Sequence, residues 1–254
     1  MSEPENPVTA AVLIIGNEIL SGRTQDSNLA YLARRLTDLG IRVAEAHVVP
    51  DEEATIVARV NDLRARHTYV FATGGIGPTH DDITAPSVAK AFGVPWVEHP
   101  DARAVLEARY TPDQLTPARL RMATMPAGAS LIENPVSKVP GFRMENVFVL
   151  AGIPSIMQSM FESLAHELVG GPPLLTVTVV AELPEGDLAE PLRELQERFP
   201  DVQVGSYPFY GRLRFGASLV LRATDRKRLE AAREELRRLV RELGAEPLDE
   251  EQVR

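Results

Sequence analysis

The run Ala10-Ala11-Val12-Leu13-Ile14-Ile15 constrains this chain more than any other segment, because it is six apolar residues with no polar alternation, stopped by Gly16. A strand that is apolar at every position must be covered on both faces, as parallel strands flanked by helices are. Downstream the period changes. Leu29, Leu32, Leu36 and Leu39 recur near 3.6 residues after Asp26 and Ser27, either of which can cap a helix, and Gly40 stops it. Residues 41–49 read as a second strand and Asp51 as the cap of a helix over 52–66, with Ile56, Val60 and Leu63 inward. Residues 68–73 read as a third strand. This alternation predicts a doubly wound parallel α/β sheet with right-handed crossovers, whose ligands bind outside the carboxyl ends of the strands. Gly16-Asn17-Glu18, Asp51 and the loop after Thr73 all fall at strand ends or in the turns that follow them.

That loop, Thr73-Gly74-Gly75-Ile76-Gly77-Pro78-Thr79-His80-Asp81-Asp82-Ile83-Thr84, follows the apolar Tyr69-Val70-Phe71-Ala72 and precedes a helix. Three glycines within four residues let the backbone take positive φ and approach a bulky anion, while a helix beginning near Thr84 aims unpaired N–H groups at it. Asp81 and Asp82 offer adjacent carboxylates to a hard cation. A backbone-held phosphate beside an Asp-bound Mg²⁺ or other divalent cation is the equipment of phosphoanhydride chemistry. The same residues also read as a tight turn with a capping carboxylate, a cap that Thr84 can itself supply. No Gly-Lys-Ser/Thr closes the loop and residues 16–18 are not a Gly-x-Gly-x-x-Gly fingerprint, so the two best-known phosphate loops are excluded.

A chain of 254 residues with 44% hydrophobic and 25% charged residues allows one large or two small domains. The net charge of −9 opposes a nucleic-acid partner, which demands a clustered basic face. Cysteine is absent, which removes disulfides, thiolate zinc sites and Cys nucleophiles and fits a reducing cytosol. The apolar run at 10–15 is too short to cross a membrane or serve as a signal core. The expectation is a soluble cytoplasmic protein with no membrane partner.

Further on, a helix is expected after Pro100, another near 116–122, and short strands at 130–133 and 147–150. Ala151-Gly152 then leads to Pro154 in the first turn of a helix running to about 168, a second helix N-terminus set after a strand. Gly170-Gly171-Pro172-Pro173 reads as a linker, giving domains 1–171 and 172–254. The second has the order βαββα: a strand at 176–181, a helix from Gly186-Asp187, strands at 202–207 and 217–222, and a helix over 225–243 with a solvated Arg/Glu face. That order predicts a small α+β ferredoxin-like domain. If the tail adds to a ligand site, Tyr207, Tyr210 and Arg212 are its first candidates for contacting a ring.

The glycine loop resembles the signature of the molybdopterin-binding (MoaB/Mog-like) domain, in the version at the N-terminus of competence/damage-inducible protein A and of eukaryotic FAD synthase. The resemblance spans about residues 8–168 and is carried also by Ile15-Gly16-Asn17-Glu18-Ile19-Leu20-Ser21-Gly22, Thr24-Gln25-Asp26-Ser27-Asn28, Val48-Val49-Pro50-Asp51, Asn134-Pro135-Val136 with Pro140-Gly141-Phe142, and Ala151-Gly152-Ile153-Pro154-Ser155-Ile156-Met157. It implies a nucleotide or pterin ligand and association into homo-oligomers. It implies a role in Mg²⁺ and phosphate chemistry for Asp82, with Asp81 or Glu18 as further metal ligands. Phosphate or nucleotide contacts are implied for Thr73, Gly74, Gly75, Gly77, Pro78 and Thr79, and for Asn28, Lys138, Gly141, Gly152 and Ser155. Two positions depart from the pattern: Ser137-Lys138-Val139 stands where relatives usually show Gly-Thr-Ala, and Asn17 where many have Asp. At Lys138 an ammonium can take the place of a glycine amide as a point charge. Two functions stay open: a metal-dependent pyrophosphatase acting on FAD, ADP-ribose or an adenylylated pterin, and a binding module without turnover. Longer relatives carry an amidase or nucleotidyltransferase domain, for which this chain leaves no room.

Overall fold

The apolar run forms β1 (Thr9–Ile15) in the computed structural model, which describes residues 8–210 and 215–249. From residue 10 to 15 its side chains alternate between two cores, Ala11, Leu13 and Ile15 on one face and Ala10, Val12 and Ile14 on the other, which is why none of these six is polar. The chain continues through α1 (Asn17–Leu20), α2 (Asn28–Asp38), β2 (Arg42–Val49), α3 (Glu53–Arg66), β3 (Tyr69–Thr73), α4 (Thr84–Phe92), β4 (Trp96–Glu98), α5 (Pro100–Arg109), α6 (Pro117–Leu120), β5 (Thr124–Pro126), β6 (Ser130–Ile132), β7 (Gly141–Met144), β8 (Val147–Leu150) and α7 (Pro154–Leu164). The main sheet has the order β2-β1-β3-β8-β7-β6, with β2, β1, β3 and β8 parallel and β7 and β6 antiparallel. Ile56, Val60 and Leu63 of α3 cover one face together with Val88 of α4 and Leu106 of α5. Leu32 and Leu36 of α2 and Met157, Met160 and Phe161 of α7 cover the other, where Phe71 stacks on Phe148 at 5.1 Å between ring centroids. The first unit is therefore a doubly wound, mostly parallel α/β sheet.

Local sequence explains the ends of these elements. Asp26 accepts from the Leu29 N–H at 2.9 Å at the start of α2, and Gly40 ends that helix at φ 70°. Asp51 does not cap α3. Its carboxylate accepts from the Asn17 N–H at 2.9 Å instead, tying the end of β2 to the start of α1, while Glu52 holds the cap position of α3. Helix α7 stops at Leu164 and tightens into a 3₁₀ turn over Ala165–Glu167, so it is shorter than the expected run to 168. Neither Gly170 nor Gly171 is slack chain: a Cβ on Gly170 would sit 1.6 Å from the Leu39 carbonyl oxygen, and Gly171 N donates to Gly40 O at 3.1 Å. Both glycines are docked on the α2–β2 turn, and the chain divides into two compact units between Gly171 and Pro172.

The second unit runs β9 (Leu175–Ala181), α8 (Glu185–Arg198), β10 (Gln203–Tyr210), β11 (Phe215–Ala223), α9 (Arg226–Glu242) and β12 (Leu248–Asp249). Its sheet order β10-β11-β9-β12, antiparallel throughout, is that of a ferredoxin-like βαββαβ domain. The sixth element, β12, is two residues long and carries no period for a sequence reading to find. Asp225 caps α9, accepting from Lys227 N at 2.7 Å and Arg228 N at 3.1 Å, and Leu229, Ala232, Leu236 and Val240 are its buried stripe. On the edge strand β10, Val204 N donates outward to Gln196 Oε1 at 3.1 Å. Alternation along an antiparallel strand makes Pro208 outward-facing too, where its missing N–H costs no ladder bond. Tyr207 and Tyr210 are exposed on β10, and Arg212 lies outside the described residues. Among the described residues no helix is long and apolar enough to cross a membrane.

Candidate functional site

Strand β1 lies between β2 and β3, so the chain leaves β1 toward one edge and returns to β3 on the other side. The carboxyl ends of β1 and β3 thus form the switch point at which sheets of this kind hold ligands. Three glycines let these ends pack together. A Cβ on Gly74 would lie 2.2 Å from the Ile15 carbonyl oxygen, one on Gly152, after β8, 3.2 Å from Gly74 Cα, and one on Gly16 2.5 Å from Glu18 Oε1. Glu18 therefore folds its carboxylate back over the end of β1.

The glycine loop leaves β3 through two left-handed residues, Gly74 (φ 101°) and Gly75 (φ 68°). Gly77 is not left-handed. It is glycine because a Cβ there would come 2.7 Å from Asp82 Oδ2. Gly74 N donates to Leu150 O at 3.1 Å and Thr79 N to Asp82 Oδ2 at 2.8 Å, so neither amide is left for a phosphate, and Pro78 has none. The amides of Gly75, Ile76 and Gly77 have no acceptor among the described residues. Three consecutive free N–H groups form an anion-seeking concavity. Helix α4 adds less than its position promises, because Thr84 N is bonded to Gly75 O at 3.0 Å and Pro86 has no N–H. Neither Asp82 nor Thr84 caps α4. The buried Thr84 hydroxyl donates to Gly74 O at 2.8 Å and ties the loop to the helix.

Thr79 fixes Asp82 from two sides, through its N–H at 2.8 Å and its hydroxyl at 2.6 Å, both to Oδ2. Oδ1 is left without a partner among the described residues. Asp81 is exposed at the loop tip, beside His80. Among the described residues no three His, Asp or Glu side chains converge as a metal-ligand group, so Asp82, Asp81 and Glu18 are not gathered into one. What the donor set fits is a Mg²⁺-like ion bound through one or two carboxylates with substrate phosphates completing its shell. A phosphate drawn to these amides would meet the Asp82 carboxylate, a repulsion that a divalent cation between the two would relieve.

Gly75, Gly77 and Asp82 line a shallow hollow with Trp96 of β4 and Arg121, in the turn after α6. Arg121 Nη2 reaches the Asp82 carbonyl oxygen at 3.5 Å. Neither Trp96 nor Arg121 was legible as a site residue, although the chain's sole tryptophan in a Pro-flanked segment is a signal that could have marked it. On the opposite face of the sheet, Asn28 is buried and donates from Nδ2 to Gly152 O at 2.8 Å. Its Oδ1 and the Thr73 hydroxyl are buried without partners, two polar atoms that a ligand group or a water would satisfy. Ser155 is exposed in the first turn of α7, where Ile156 N and Met157 N are both spent on Ile153 O. Lys138 is exposed in the loop that Asn134 organises through bonds to Val136 N, Ser137 N and Val139 O, and takes φ 65° there. Gly141 is buried in β7, where a Cβ would meet Val149 O and Met160 Cε at 2.4 Å, so close packing suffices to explain it.

Comparison with known proteins matches residues 11–171 to the family described as the probable molybdopterin binding domain, and residues 173–248 to the FAD synthase middle domain. A protein of Pyrobaculum aerophilum is 40% identical over 210 residues, covering 78% of this chain and 79% of that one. A probable FAD synthase of Caenorhabditis elegans is 30% identical over 259 residues, covering 91% of this chain but 50% of the longer protein. The crystal structure of the protein CinA, of unknown function, from Thermoplasma acidophilum is 34% identical with a TM-score of 0.61, covering 64% of this chain and 99% of that one.

Proposed function

The chain belongs to the molybdopterin-binding-domain family, and on that premise we propose that it binds a nucleotide pyrophosphate and hydrolyses its phosphoanhydride with a divalent cation, FAD and ADP-ribose being the first substrates to try. The observation that carries this reading is the free amides of Gly75, Ile76 and Gly77 beside a carboxylate, Asp82, that Thr79 holds in place. In this reading the amides take phosphate oxygens, and Asp82, with Asp81 or Glu18, holds the cation, which supplies charge neutralisation at the phosphoryl group. Thr79 keeps the Asp82 carboxylate from swinging away, and Thr84 keeps the cradle fixed to α4. The similarity of residues 173–248 to the FAD synthase middle domain supports a flavin nucleotide as ligand. Purified protein incubated with FAD or ADP-ribose and Mg²⁺ or Co²⁺ is expected to release AMP. Substrate that neither binds nor turns over would overturn the reading.

A second reading, the same cradle holding a molybdopterin or nucleotide without turnover, is favoured by the absence of a three-ligand metal group among the described residues. It predicts binding by calorimetry without AMP release in the same incubation.

A further inference from the structure

We propose that Trp96 and Arg121 are the ring-recognition end of this site: the flat base of an aromatic nucleotide stacks on the Trp96 indole, and Arg121 takes the phosphate that joins it to the cradle. The inference rests on the nucleotide reading above and names the part of the ligand that reading leaves open. Tryptophan carries a large apolar surface and is ordinarily well buried, yet the only one in this chain is 41% exposed. It is not on a loose segment, since β4 pairs with β5 in register Trp96 opposite Pro126. An exposed, rigidly held indole beside three free amides has the form of a stacking platform, and its neighbours in the hollow, Pro86 and Met122, are apolar.

Arg121 is the charged counterpart. This is an acidic chain in which Arg35, Arg66, Arg103 and Arg228 each meet a carboxylate within 3.0 Å. Arg121 has no ion-pair partner among the described residues, and the one hydrogen bond of its guanidinium there is the long contact to the Asp82 carbonyl. A guanidinium left unneutralised between an anion cradle and an aromatic face is suited to a phosphate ester, which it can engage bidentately. The two residues together select a ligand class: an aromatic ring linked through a phosphate, in preference to inorganic pyrophosphate or a sugar phosphate.

The sole tryptophan makes the test direct. AMP and ribose 5-phosphate are titrated in the presence of Mg²⁺, following Trp96 fluorescence and, in parallel, heat. AMP is expected to quench the emission, and ribose 5-phosphate to bind more weakly without quenching. Trp96→Leu should weaken AMP about tenfold or more, the loss of one base–aromatic stack, while leaving ribose 5-phosphate within twofold. Trp96→Phe should restore most of the AMP affinity, and Arg121→Gln should weaken both ligands about tenfold. If AMP and ribose 5-phosphate bind alike with fluorescence unchanged, the ring platform is overturned and the phosphate cradle stands. If folded protein binds neither, this inference falls, and the incubation with FAD and ADP-ribose decides separately whether the proposed function falls with it. The fluorescence comparison uses the unaltered protein, so it decides the matter even if Trp96→Leu does not fold.

Discussion

Toward the amino ends of the parallel strands, Glu45 accepts from His47 Nε2 at 2.7 Å, His67 Nε2 at 2.6 Å and Arg66 Nη1 at 2.5 Å, and His67 Nδ1 meets Thr9 Oγ1 at 3.2 Å; at the carboxyl ends, the amides of Gly75, Ile76 and Gly77, the Thr73 hydroxyl and Asn28 Oδ1 meet no partner among the described residues. One end is saturated and the other is not. Burying an unpaired polar group costs about 1–3 kcal/mol, so a fold accumulates such groups only where something else satisfies them. The contrast separates polar groups that hold the sheet together from polar groups that are held by it.

Substitutions at the two ends test that separation. The largest expected effect is that of Asp82→Ala, a loss on the order of 10²-fold in metal-dependent turnover with the melting temperature nearly unchanged, since the Asp82 carboxylate bonds only within its own loop. Full activity in this variant would sink the assignment. Thr84→Val should cost about 2 kcal/mol in urea unfolding, because it leaves the buried Gly74 carbonyl without its donor. A variant as stable as the parent would mean that the loop is not anchored through α4. Thr79→Val removes one of the two bonds that hold the Asp82 carboxylate and should lower turnover about tenfold with little change in stability, the loss of one hydrogen bond to a charged group. Equal losses of turnover and stability would contradict the division drawn here.

Glu45→Gln, at the saturated end, should give the smallest effect: about 1 kcal/mol of stability at neutral pH and no change in nucleotide affinity. Its signature is in the pH dependence. Hydrogen bonds from Arg66, His47 and His67 hold the Glu45 carboxyl down to about 2, against 4.5 when unperturbed. A carboxyl lowered on folding lends its stability in full above about 4.5 and loses it as pH falls toward 2. The melting temperature of the variant should therefore fall less steeply across that window. Glu162, held down to about 2 by Arg35 and Tyr31, titrates in the same range, so part of the acid loss remains. A variant with the parent's acid profile would show that the Glu45 cluster contributes nothing.

How far the sequence disclosed this molecule depends on the range of the interaction concerned. The continuous run at 10–15, the leucine period of α2 and the capping bond of Asp26 at its start are local, and each was readable. So was the need for glycine at Gly74 and Gly75, which reflects backbone conformation. The free amides were not, since it takes the partners of Gly74 and Thr79 to show which N–H groups remain. Asp51 read as a cap for its own helix because its true partner, Asn17, is 34 residues away. Trp96 and Arg121 reach the loop through a three-residue strand and a 3₁₀ turn, elements too short to carry a period.

The edge of the second unit has a consequence for the protein as a solute. A sheet grows into a polymer only if an outer strand presents a row of unfilled N–H and C=O groups for a neighbouring molecule to template on. On β10 one such N–H is plugged by the Gln196 side chain and another is deleted by Pro208. The row is broken at both positions. A molecule that meets this one along β10 finds an interrupted ladder, so side chains must carry what recognition there is at that edge.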